Sequence, residues 1–264
     1  MASRAIWKGT IRIGRLALPV KLYSAVREEG VHFRLLHRAD LAPVAQKMVA
    51  SGSDEPVEPK AIRKAFPLGR NELVMLDEED LQTLEPEESR DIEITRFVRP
   101  DEIDHRWYER AYYLGPDGDS GGYFAAAAAL ERKKREGIAK WVMRKREYVG
   151  ALRAEDGYLV LITLRHTGEV IDVSALPAPA GRPLQRKELA MAAQLVAARE
   201  ERFDITRYRD EYRARVLELV EEKARGGKVK VRPFRPRKTR EDQLTRALEA
   251  SLAGVGKKKR TARG

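Results

Sequence analysis

The sequence contains no cysteine, which excludes disulfides, thiolate nucleophiles and cysteine-based zinc sites. Only four histidines remain as soft ligands, His32, His37, His105 and His166, and they show neither an HExxH pattern nor a nucleophile partner at diagnostic spacing. Long apolar runs are also missing. The longest, Phe124 to Leu130, falls far short of the ~20 residues that a membrane helix needs. The opening stretch, MASRAIWKGTIRIG, alternates apolar with basic or small residues instead of presenting the continuous apolar core of a secretion signal. These absences predict a soluble, cytoplasmic protein with no membrane partner, no cofactor and no metal.

What is present is enough apolar sequence for a core, 42% of the residues, and a net charge of +11. The location of that charge is informative. From Arg225 to Gly264 there are 14 Lys+Arg against 3 Asp+Glu, so the tail carries the whole excess and the body from Met1 to Ala224 is neutral. A neutral body with a cationic tail suits a tether for a polyanion, DNA or RNA above all. A disordered solubilising tail is the plainer alternative.

Period-two alternation predicts strands in the first part of the chain: Ile11 and Ile13, then Leu16, Leu18, Val20 and Leu22, and again Val31, Phe33 and Leu35. The Pro-, Ala- and Ser-rich passage from Ala39 to Pro59 reads as a long loop or irregular hairpin. A strand over Asn71 to Leu76 leads into a short helix capped by Asp77 and Asp80, carrying Leu81 and Leu84. Ile92, Ile94 and Phe97 mark another strand, and Trp107 to Leu114 a further one. The alanine run predicts a helix between Gly122 and Gly137, with Gly137 at its C-terminal cap. Arg132 to Arg135 lie in its last turn, where they serve helix termination or DNA contact equally well. Next, Ala139, Trp141 and Met143 share one face of a strand, while Lys140, Arg144 and Arg146 form a cationic stripe on the other. After the turn Glu155-Asp156-Gly157, Tyr158 to Arg165 is apolar on both faces and reads as a central strand. Beyond Pro177 to Pro183 the period becomes helical, with one helix bearing Leu189, Ala192, Ala193 and Val196 and a second from about Tyr208 to Ala224. The pattern as a whole predicts an α+β, mostly β, fold.

A rival functional class is a nuclease-like enzyme, with Asp77, Glu78, Glu79, Asp80, Glu87 and Glu88 holding a metal. Adjacent acids on one short helical turn diverge, so helix capping and a solvated face explain them better. A third class is a general nucleic-acid-binding scaffold whose functional part is the tail, with no preference for DNA ends.

Several stretches resemble the prokaryotic Ku family. WKGTIRIGRLALPVKLYSA (Trp7 to Ala25) looks like its opening barrel strands, and RNELVMLDEEDLQTLEPEESRDIEITRFVRPDEID resembles its strand, acidic helix and IEI..FV...EID stretch. WYERAYYLGPD and GIAKWVMRKREYVGALRAEDGYLVLITLRH are similar to its later strands, and KELAMAAQLVAA and FDITRYRDEYRARVLELVEEKARGG to its two C-terminal helices. The resemblance spans about residues 4 to 227. Between Arg38 and Gly69 the chain departs from the family's basic hairpin and KGYE element, showing Lys64-Ala65-Phe66-Pro67 instead.

The resemblance implies a non-enzymatic homodimer that encircles double-stranded DNA ends in non-homologous end joining, associated with the nucleoid, and recruits a multifunctional bacterial repair ligase. It implies a Ku-like β-barrel core over residues 1–180 with a β-ribbon arch at about 27–76, a C-terminal helical region at 184–227 and a flexible basic tail at 228–264. A two-stranded ribbon with ~20 residues per strand reaches ~65 Å, ample to wrap half of a duplex. Candidate DNA contacts on the arch are Arg34, Arg38, Lys47, Lys60, Arg63, Lys64 and Arg70, and on the barrel Lys140, Arg144 and Arg146. In the tail they are Lys228, Lys230, Arg232, Arg235, Arg237, Lys238, Lys257, Lys258, Lys259 and Arg260. A short amphipathic helix at about 240–253, with Leu244, Leu248 and Leu252 at i, i+4, i+8, is the candidate ligase-docking face.

Overall fold

The computed structural model describes residues 4–53, 55–70, 72–118, 120–177, 184–226 and 248. The chain divides into two compact units: Met1–Glu29 with Phe33–Ala175, and Gly30–His32 with Leu176–Gly264. In the first unit β1 (Trp7–Ile13) and β2 (Leu16–Ser24) form a hairpin. A short ribbon, β3 (Lys64–Pro67) with β4 (Leu73–Leu76), precedes helix α1 (Glu78–Thr83). Then come β5 (Asp91–Val98), β6 (Tyr108–Pro116), helix α2 (Gly121–Lys133), β7 (Glu136–Met143), β8 (Arg146–Glu155) and β9 (Tyr158–Leu164). The second unit holds α3 (Arg186–Ala198) and α4 (Glu211–Ala224).

Seven strands close into a barrel in the order β1-β2-β6-β9-β8-β7-β5. Every neighbouring pair is antiparallel except the closing one, where β1 runs parallel to β5 with Ile11 opposite Ile92. Closure removes the unpaired edges that an open sheet would expose. The period-two residues supply the interior: Ile11, Val20, Leu22, Ile92, Leu114, Leu152, Leu159 and Leu161 are buried, as are Ala139, Trp141 and Met143. β9 pairs with β6 and β8, and its consecutive residues Leu159, Val160 and Leu161 are all buried, in keeping with its apolar character on both faces. The Trp141 ring stacks on Tyr148 with centroids 5.4 Å apart and crosses β8 at Gly150, where an added Cβ would lie 2.7 Å from it and 2.6 Å from the Ile162 carbonyl oxygen. Trp7 crosses Gly9 in the same way, at 2.2 Å. Bulky rings beside bare backbone let the narrow interior fill without voids.

Helix α2 adds Tyr123, Ala127 and Leu130 to this core. The Tyr123 hydroxyl donates to the Leu114 carbonyl and accepts from Leu159 N at 2.8 Å, tying the start of α2 to the β6–β9 seam. The helix ends earlier than its glycine suggested. Lys134, in the left-handed region at φ 50°, makes the C-terminal cap, while Gly137 stands in β7, where a Cβ would meet Ile94 Cγ2 at 2.9 Å. Gly137 thus serves strand packing, and a lysine takes the cap.

The alternation at Val31, Phe33 and Leu35 does not produce a strand. A strand needs a ladder, and the pairings nearby are isolated bridges, Leu36 with Pro43 and Val49 with Pro56. Proline has no N–H to extend them. The paired part of the arch is accordingly short, four residues on each side of β3–β4. In the second unit, Gln185 N donates to Glu188 at the start of α3, and Asp210 accepts from Arg213 N to cap α4. Leu189 and Val196 on α3 and Tyr212 and Val220 on α4 are exposed.

Candidate nucleic-acid interface

All seven arch candidates, Arg34, Arg38, Lys47, Lys60, Arg63, Lys64 and Arg70, are exposed. The backbone that carries them is extended or turning, held by local bonds such as His37 N to the Ala42 carbonyl at 2.8 Å and Val57 N to the Met48 carbonyl at 2.9 Å. Lys47, Arg63 and Lys64 come together around an open concavity of ≈ 780 Å³ beside Asp77 and Glu78. Arg63 is 3.8 Å from Asp77, an exposed pair of little energetic weight. Asp80 accepts from Asp77 N at 3.0 Å, so these two acids are used in capping α1. Among the described residues no group of three His, Asp or Glu is placed to hold a metal ion.

The barrel candidates do not form one stripe. Lys140 is exposed on β7, opposite Glu93 on β5. Arg144 sits with Lys145 in the β7–β8 turn, both at positive φ (53° and 62°), and Arg146 begins the next strand. The hairpin was hidden because a two-residue turn of this hand normally announces itself with Asn-Gly, whereas here both positions are basic. Lys145 is fixed by Glu85 at 2.8 Å, and that hydrogen bond raises its pKa above the ordinary lysine value. Arg144 and Arg146 make no ion pair among the described residues.

The barrel surface also neutralises some of its own cations. Asp117 lies 2.7 Å from Lys21 and 2.9 Å from Lys8, and hydrogen bonds from the two lysines lower its pKa. Inside, Glu136 accepts from the Tyr108 hydroxyl at 2.7 Å, and Arg153 Nη2 is 2.9 Å from its other oxygen. Burial, then the bond to Glu136, raises the Tyr108 phenol well above its usual pKa. Sequence reading missed both clusters, since neither joins neighbours in the chain; the register across β1, β2 and β6, and across β6, β9, β8 and β7, brings them together.

The tail candidates Lys228, Lys230, Arg232, Arg235, Arg237, Lys238, Lys257, Lys258, Lys259 and Arg260 lie outside the described residues, as do Leu244 and Leu252. Leu248 is helical and buried. No described helix is long and apolar enough to cross a membrane.

The family model described as the Ku70/Ku80 beta-barrel domain matches residues 12–191. Non-homologous end joining protein Ku 2 of Geotalea uraniireducens is 37% identical over 97% of this chain and 100% of its own length. Non-homologous end joining protein Ku of Opitutus terrae is 35% identical over 98% and 96%, and the protein of that name from Archaeoglobus fulgidus 33% identical over 86% and 91%. With a closed barrel under the family match and relatives aligned along almost their whole length, the chain belongs to the Ku family.

Proposed function

We propose that this protein binds double-stranded DNA ends in non-homologous end joining, without catalytic activity of its own, as a ring-shaped homodimer that recruits a repair ligase. The observation that carries the reading is the near-full-length match to relatives named for non-homologous end joining, on a chain whose arch exposes every one of its candidate cations. Flexible Arg and Lys contacts to phosphate are indifferent to sequence, as a protein that accepts any break requires.

Two copies are favoured by exposed apolar side chains along the arch, among them Phe33, Leu35, Met48 and Phe66, and on α3 and α4. Monomeric proteins seldom leave so many large apolar groups uncovered. The ligase would dock on the tail stripe of Leu244, Leu248 and Leu252, which requires buried Leu248 to leave its present packing, and the basic tail would hold the complex on DNA in the nucleoid. A scaffold without end specificity remains the second reading, because the whole cationic excess lies in the tail.

The test is binding to a short linear duplex against the same sequence as a covalently closed circle. The ring predicts strong preference for the linear form, since a circle offers no free end to thread. Equal affinity for the two forms supports the scaffold instead.

A further inference from the structure

Residues Glu131 to Glu136 read Glu-Arg-Lys-Lys-Arg-Glu, and the fold sorts these six charges by sign. The acids turn toward the protein. Glu131 accepts from Gly157 N at 2.8 Å, in the turn between β8 and β9, and buried Glu136 is held by Tyr108 and Arg153. Arg132, Lys133, Lys134 and Arg135 are all exposed. Arg135 Nη1 donates to the Lys134 carbonyl at 3.2 Å, and none of the four makes an ion pair among the described residues. The acids that flank them in sequence are therefore occupied elsewhere.

The helix dipole accounts for a cation or two at the end of α2. It does not account for Lys134 standing in a left-handed cap at φ 50°, a position that glycine adopts without strain. The left-handed cap keeps a fourth cation in the run at a position where glycine would end the helix without strain. The four residues include no aromatic to stack a base. A run of exposed Arg and Lys makes phosphate contacts without regard to sequence.

We propose that Arg132 to Arg135 form a phosphate-contact site for the backbone of duplex DNA on the barrel unit, separate from the arch and the tail; this rests on the DNA-binding reading above. Two variants of the full chain test it, K134G and R132Q/K133Q/K134G/R135Q, titrated with linear duplex between about 50 and 200 mM salt. Each phosphate contact contributes about 0.9 to the slope of log K against log salt. The quadruple variant should flatten that slope by roughly 1.8–3.6, corresponding to two to four lost contacts. K134G alone should flatten it by about 0.9 while holding or raising the melting temperature, because glycine relaxes the cap.

An unaltered slope in both variants overturns the proposal. If the melting temperature then falls, the cations serve the helix dipole. The end-binding reading fails by a different sign: wild-type protein that binds circle and linear duplex equally would refute it, while the tetrad's effect on the salt slope is still measured.

Discussion

Replacing Tyr123 with phenylalanine removes one oxygen from the barrel and leaves its shape intact. The side chain is 1% exposed, and the ring keeps its edge-on contact with Phe124, centroids 5.2 Å apart. What is lost is the bridge from the Leu114 carbonyl to Leu159 N, two residues opposite one another across β6 and β9. Burial raises the phenol pKa, so the hydroxyl is a protonated donor throughout the neutral range. A hydrogen bond is worth about 0.5–1.5 kcal/mol net, and a buried group left unsatisfied costs about 1–3 kcal/mol. The two together predict a loss of about 2–4 kcal/mol. For a chain of this size that corresponds to a fall in melting temperature of roughly 4–16 °C, read by scanning calorimetry and by urea unfolding with an unchanged m-value. A change below about 0.5 kcal/mol would refute the reasoning, because it would mean that the seam closes equally well without the hydroxyl.

Gly150→Ala should cost about 1–3 kcal/mol or prevent folding, since its Cβ meets the Ile162 carbonyl oxygen at 2.6 Å and the Trp141 ring at 2.7 Å, and the backbone partner has nowhere to move; tryptophan fluorescence and solubility report it. Glu136→Ala should destabilise by about 3 kcal/mol in urea unfolding, at the low end for a broken buried pair, because Arg153 is 33% exposed on its side chain and regains water. Asp117→Asn should remove a stabilisation that depends on pH. The carboxyl pKa is lowered by Lys21 and Lys8, so the contribution is present above the unfolded value of about 3.9 and lost as pH falls through the lower folded value. Wild type and variant should therefore differ in melting temperature at neutral pH and converge in strong acid.

The barrel was largely legible because its strands keep one face apolar at period two, and Ile11, Leu18, Val20 and Leu22 fall on the inside as that period requires. The short helix after Asp77 was also legible, because its cap is written in adjacent residues. Three features were not. Phe33 and Leu35 alternate like a strand, but Pro43 and Pro56 have no N–H to extend the isolated bridges they make into a ladder. The turn at Arg144 and Lys145 and the cap at Lys134 place basic residues where the backbone is left-handed, so the usual glycine signal is absent. The Lys8–Asp117–Lys21 and Tyr108–Glu136–Arg153 clusters depend on strand register, which alternation alone does not fix. Of the candidate site, exposure of the arch cations follows from composition, whereas the bond of exposed Glu131 to Gly157 N and the burial of Glu136, which occupy the two acids flanking Arg132 to Arg135, are visible only in the fold.

Encirclement of DNA by the proposed ring is tested most directly by topology. Protein is bound to a long linear duplex, the ends are ligated into a circle, and retention is followed after a shift to salt high enough to strip phosphate contacts. The account predicts that protein stays on the circle and is released when a restriction enzyme cuts it. Release from the circle as rapid as from the linear duplex would contradict the ring.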